Sequence, residues 1–156
     1  MKKNANDSLR RGQKQFEPRI VAFVCNWCSG AGGSLRGGTP GARKRDLPNV
    51  RIVNVMCSGR VTPGLVLKAF ELGADGVIVC GCERGSCHYS FGNERQTEMY
   101  ETSRKLAGLI GLEPERLRLD LLPSDGGQGL HKAIGEFLKQ VTQAGPSPLR
   151  KSGGKG

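Results

Sequence analysis

The sequence predicts an α/β domain built on a small open parallel sheet of about four strands with flanking helices. Apolar β-branched runs recur at 19–25, 50–56 and 76–80, helical patterns separate the later elements, and glycines punctuate the joins. Strands alternating with helices call for right-handed crossovers, and those imply parallel pairing.

Taken in order, Arg19 to Cys25 is nearly continuous apolar, as in a strand buried on both faces. Residues 29–48 follow, with glycines at 30, 32, 33, 37, 38 and 41 and then Arg43-Lys44-Arg45, a composition that supports no helix. Val50 to Met56 forms the second strand. Thr62-Pro63 supplies an N-cap and first-turn proline for a helix with Val66, Ala69 and Phe70 on one face, ended by Gly73. Gly76 to Cys80 is the third strand. A helix from Asn93 to Ile110 takes Met99, Leu106 and Ile110 as its apolar stripe, with Gly111 as terminator. Leu117 to Leu122 alternates in polarity, which predicts an edge strand with one wet face. The last helix, Gly129 to Gln143, carries Ile134, Phe137, Leu138 and Val141 at helical spacing. The simplest closure is a flavodoxin-like sheet in the order 2-1-3-4. Such sheets bind ligands beyond the carboxyl ends of their strands.

The 156 residues suit one domain with tails, and the expected division is 1–18, 19–143 and 144–156. No apolar run reaches the roughly 18 residues of a membrane span, and the N-terminal stretch lacks the apolar segment of a secretory signal. A cytoplasmic location is therefore expected. The net charge of +10 is concentrated at the ends: six basic against two acidic residues over 1–20, and three basic with no acidic residue over 142–156. These ends read as disordered, solubilising basic tails rather than as a nucleic-acid surface.

Six cysteines carry the chemical information: Cys25, Cys28, Cys57, Cys80, Cys82 and Cys87. Each falls at or beyond the carboxyl end of a predicted strand, so a parallel sheet gathers them at one edge. Without a secretory signal, this count points to metal or thiol chemistry rather than to disulfides. Three chemistries remain open. An iron–sulfur cluster takes thiolates from several loops, and close glycines such as Gly30, Gly59, Gly81 and Gly85 let backbone amides approach the sulfurs. A structural zinc would use four thiolates in a binding domain. Cys25-Asn26-Trp27-Cys28 after a strand also has the form of a redox dithiol.

Other residues are weighed against blander roles. His88 beside Cys87 is a candidate hydrogen-bond donor behind the ligands; a two-histidine centre would need His131, which lies in the last helix. Arg60 either offsets thiolate charge or caps the next helix. Trp27 either packs on the sheet end or meets a partner. Asp120 and Asp125 read as solvated. Cys80 continues the buried run Val77-Ile78-Val79 and reads as a small core residue.

Four motifs in order resemble a known family. They are Val24-Cys25-Asn26-Trp27-Cys28-Ser29, Val55-Met56-Cys57-Ser58-Gly59-Arg60-Val61, Ala74-Asp75-Gly76-Val77, and Gly81-Cys82 followed by Cys87-His88-Tyr89. Together with Glu113 to Leu119 they resemble the delta subunit of methyl-viologen-reducing hydrogenase over about residues 20–143. That resemblance implies a 2Fe-2S electron-transfer protein with no independent substrate-converting site. It implies partners on both sides: a hydrogenase or formate-type dehydrogenase, and the flavin-bearing A-type subunit of heterodisulfide reductase. The family's cysteines map onto Cys25, Cys28, Cys57, Cys82 and Cys87, of which four would ligate. Departures are Gly30 in place of an aromatic, Ser86 in place of an acid, and Cys80 in place of an aliphatic residue.

Overall fold

A computed structural model describes residues 16–27, 49–83, 92–123 and 128–150. The chain runs β1 (Ile20–Cys25), β2 (Val50–Val55), α1 (Pro63–Glu71), β3 (Gly76–Cys82), α2 (Gly92–Leu109), β4 (Leu117–Leu122) and α3 (Gln128–Ala144). Short 3-10 turns at Ser58–Arg60 and Pro114–Arg116 precede α1 and β4. The four strands form one parallel sheet in the order β2-β1-β3-β4, the expected topology. The expected segment 29–48 and the stretches 1–15 and 151–156 lie outside the described residues.

Apolar side chains on both faces of β1 and β3 demand a cover on each side. On one face Ile20, Ala22, Val24, Ile78 and Cys80 pack against Leu130, Ile134, Phe137 and Val141 of α3. On the other, Phe23, Val77 and Val79 meet Val66 and Phe70 of α1 and Ala107 of α2. Thr62 caps α1 by accepting from the Leu65 amide, and Gly73, at φ +102°, reverses the chain where a side chain would be strained. Among the described residues no helix is long and apolar enough to cross a membrane.

Three expectations are corrected. Strand β3 continues past Cys80 through Gly81 to Cys82, because β4 extends beyond β1 and keeps pairing, with Cys82 opposite Leu122. Helix α2 does not bury Leu106 or Ile110; its inner face is Gln96, Ser103 and Ala107. The helix lies close to its neighbours there, and small or polar side chains are what fit. Strand β4 is the edge, but its polar face is half-covered by α3: Arg118 pairs with Asp120 (2.9 Å) and Glu136 (3.3 Å), so Asp120 is not a solvated carboxylate. Asp125 lies outside the described residues.

The amino edge of the sheet is closed by a polar network. Asp75, fully buried, accepts from the backbone amides of Arg19 (2.8 Å) and Ser147 (2.9 Å) and from Arg150 Nη1 (2.8 Å). Arg116, also buried, pairs with Glu113 and donates to the carbonyls of Asp75, Ala144, Gly145 and Pro146 at 2.8–3.3 Å. It thereby satisfies the orphan carbonyls that end α3. Residues 145–150, assigned above to a tail, are thus held against the domain. A chain ending at Ala144 is expected to be about 3 kcal/mol less stable than one ending at Arg150, since Asp75 and Arg116 would stay buried without partners. Denaturant unfolding of the two proteins checks this; equal stabilities would mean that residues 145–150 contribute nothing.

Candidate metal centre

Parallel pairing delivers the strand ends to one edge, and the cysteines come with them. Val24 lies opposite Cys80 in the β1–β3 ladder, so Cys25 at the end of β1 and Cys82 at the end of β3 finish side by side. Their sulfurs are 3.7 Å apart, and each residue is only 2% exposed. Two thiolates on one tetrahedral metal ion, each about 2.3 Å from it, stand about 3.8 Å apart. The pair is therefore spaced as two ligands of a single metal.

Cys57 follows the end of the neighbouring strand β2. The Asn26 amide donates to the Val55 carbonyl (2.9 Å), joining the end of β1 to the end of β2. The Cys25 thiol lies 3.9 Å from the Met56 carbonyl, one residue before Cys57. Cys57 itself is 8% exposed and opens the turn Ser58–Arg60, which is closed by Arg60 N–H to Cys57 carbonyl at 3.0 Å. Among the described residues no group of three or more cysteine, histidine or acidic side chains is arranged to hold a metal ion. Cys28, Cys87 and His88 lie outside the described residues.

A cleft of about 770 Å³ opens at Cys57, lined by Met56, Gly59, Arg60, Thr62, Gly92 and Arg95. Arg60 is exposed there and does not cap α1, a task that Thr62 performs. Arg60, Arg95 and the start of α2 thus line the cleft that opens at Cys57. The backbones meet closely: a Cβ on Gly59 would stand 2.7 Å from the Gly92 carbonyl oxygen. Trp27 and Met56, beside the cysteines, are 41% and 57% exposed.

Cys80 is different. It faces α3 in the core, fully buried, with Asp120 opposite it in the ladder. Burial pushes its thiol up to about 12, the Asp120 carboxylate adds to the rise, and Arg118 opposes it. Buried and neutral, it sits there as a small core residue. Gln96 was not visible in the sequence pattern, yet its side chain lies over Gly81 and Ser58, between the Cys82 strand and the Cys57 turn. Hydropathy holds no signal for a buried glutamine.

Thiolates at these positions would suit a soft metal, an iron–sulfur cluster or a zinc ion alike. Replacing Cys80 with valine is expected to cost less than about 1.5 kcal/mol and leave metal content unchanged, as near-isosteric core swaps do. Unfolding curves and metal analysis test it, and loss of metal in Cys80→Val would bring Cys80 into the centre.

Comparison with known proteins bears on the family of the chain. The family model for the delta subunit of methyl-viologen-reducing hydrogenase matches residues 20–145. The chain is 35% identical over 142 residues to the vhc iron-sulfur subunit of the F420-non-reducing hydrogenase of Methanococcus voltae, covering 91% of this chain and 96% of that one. It is 39% identical over 137 residues to the iron-sulfur subunit of the F420-non-reducing hydrogenase of Archaeoglobus profundus, covering 85% and 95%. It is also 41% identical over 129 residues to the A-type subunit of the ferredoxin/F(420)H(2)-dependent CoB-CoM heterodisulfide reductase of Methanosarcina acetivorans. That match spans 83% of this chain but only 16% of the reductase protein. With the match running from the first residue of β1 to the end of α3, the chain belongs to the family of methyl-viologen-reducing hydrogenase delta subunits.

Proposed function

We propose that the chain is a 2Fe-2S electron-transfer subunit of a cytoplasmic oxidoreductase complex. It relays electrons between a hydrogenase, or a formate-type dehydrogenase, and a flavin-bearing protein like the A-type subunit of heterodisulfide reductase. The observation that carries this reading is the 3.7 Å separation of the Cys25 and Cys82 sulfurs at the strand ends. Relatives named iron-sulfur subunits favour iron over zinc for that donor set. The heterodisulfide reductase protein that contains a segment similar to this chain supports the choice of partner.

Four of Cys25, Cys28, Cys57, Cys82 and Cys87 would hold the cluster, with Cys25 and Cys82 on one iron. When bound, a 2Fe-2S cluster takes up and passes on one electron at a time. The protein's part is to hold the thiolates and regulate what surrounds them. Burial of Cys25 and Cys82 keeps water from their sulfurs. Arg60 and Arg95 offset the added negative charge on reduction, and His88 is placed by the sequence to donate a hydrogen bond behind Cys87. Trp27 and Met56, exposed at the same edge, give a partner an apolar contact close to the site. No proton transfer or substrate pocket is required of this protein.

Anaerobic reconstitution tests the reading. The wild-type chain is expected to hold about two iron and two sulfide and to show thiolate-to-iron bands in the visible. Cys25→Ser and Cys82→Ser are expected to lose them. A colourless chain that retains zinc and excludes iron would sink the proposal.

A further inference from the structure

The Cys25 and Cys82 sulfurs stand 3.7 Å apart, in contact, and neither residue is part of a disulfide in this structure. The sheet places their backbones. Val24 pairs with Cys80, so Cys25 and Cys82 are strand-end positions offset from each other by one residue. At the usual spacing and rise of neighbouring strands, that offset puts their Cα atoms about 6 Å apart. Disulfides span about 4.4–6.8 Å between Cα atoms, with a bond of about 2.05 Å. Bond formation therefore needs the sulfurs to close by about 1.7 Å through side-chain rotation, with the strand register unchanged. Cys25 and Cys82 are the last residues of β1 and β3, where ladders open locally at little cost.

We propose that Cys25 and Cys82 are a redox-modification site: when no metal holds them, hydrogen peroxide joins them in a reversible disulfide that closes the site to metal. One thiol and peroxide give a sulfenic acid and water. The second thiol then displaces that hydroxyl, and another water leaves as the S–S bond forms. Together the sulfurs lose two electrons, and the peroxide is reduced to two waters. A dithiol reverses the change by exchange and becomes a disulfide itself. Contact between the sulfurs favours this outcome over further oxidation, because the sulfenic acid forms against the thiol that captures it. Burial selects the oxidant: at 2% exposure the sulfurs admit a molecule little larger than water and exclude bulky disulfides. A bound metal prevents the step by engaging both thiolates. The proposal does not rest on the iron–sulfur reading, since a zinc ion would shield the pair in the same way.

The test uses the full chain, stripped of metal with a chelator and treated with hydrogen peroxide, then alkylated, digested and analysed by mass spectrometry. A cross-link between the Cys25 and Cys82 peptides is expected, and fragmentation of the wild-type peptides assigns the sulfurs independently of any variant. The cross-link is expected to persist in Cys57→Ser and Cys80→Val and to vanish in Cys25→Ser and Cys82→Ser. Oxidised wild type is expected to lose zinc uptake and to regain it with dithiothreitol. Sulfinic acid at either position without a cross-link overturns the proposal, as does a cross-link that joins Cys25 or Cys82 to a different cysteine instead. A chain that takes up zinc but no iron and sulfide sinks the iron–sulfur reading, while the peptide map still decides the disulfide.

Discussion

The parallel register of β1 against β3 is the constraint on which the site depends. Both strands are covered on both faces, so a one-residue slip would exchange the set of side chains facing α3 with the set facing α1 and α2. A two-residue slip would keep the faces but carry Cys82 about 6.6 Å along the sheet. Neither leaves the Cys25 and Cys82 sulfurs at 3.7 Å. Core packing and ligand geometry are therefore one specification, written in the same hydrophobic runs.

The two edges of the sheet are finished in opposite ways. At the amino edge, Asp75 and Arg116 gather the chain around them through charged hydrogen bonds, which closes that end. At the carboxyl edge, Arg60 and Arg95 face a cleft and the apolar side chains of Trp27 and Met56 stand in solvent. Stability is concentrated at one edge and chemistry at the other, as parallel sheets generally arrange it.

Much of this was legible in the sequence, for identifiable reasons. Continuous apolar runs marked β1 and β3, and Ile134, Phe137 and Val141 announced the buried face of α3. The apolar run Val77-Ile78-Val79 that Cys80 continues is what puts it in the core. Failures had equally local causes. The apolar run of the third strand stops at Cys80, but the ladder continues through Gly81, where the glycine makes room for Gln96. In α2 the apolar residues Leu106 and Ile110 misled, because the tight interface selects Gln96, Ser103 and Ala107 instead. Asp120 looked solvated because Arg118, its neighbour in the strand, is held in turn by Glu136, which lies 18 positions further along the chain and beyond any local pattern. Residues 145–150 looked like linker because polar contacts from Asp75 and Arg116, not apolar periodicity, hold them.

The guanidinium of Arg150 ties the two ends of the described domain together: it lies 5.4 Å from the Phe16 ring centroid and donates to the Glu17 carbonyl at 3.3 Å. Entry and exit of the chain are therefore neighbours, and both sit away from the edge that carries the cysteines. A unit wired in this way behaves as a plug-in module. Neighbouring ends let such a unit stand as a separate protein or be joined into a longer polypeptide. The relatives include both arrangements, one in which the matching segment is nearly the whole protein and one in which it is 16% of it.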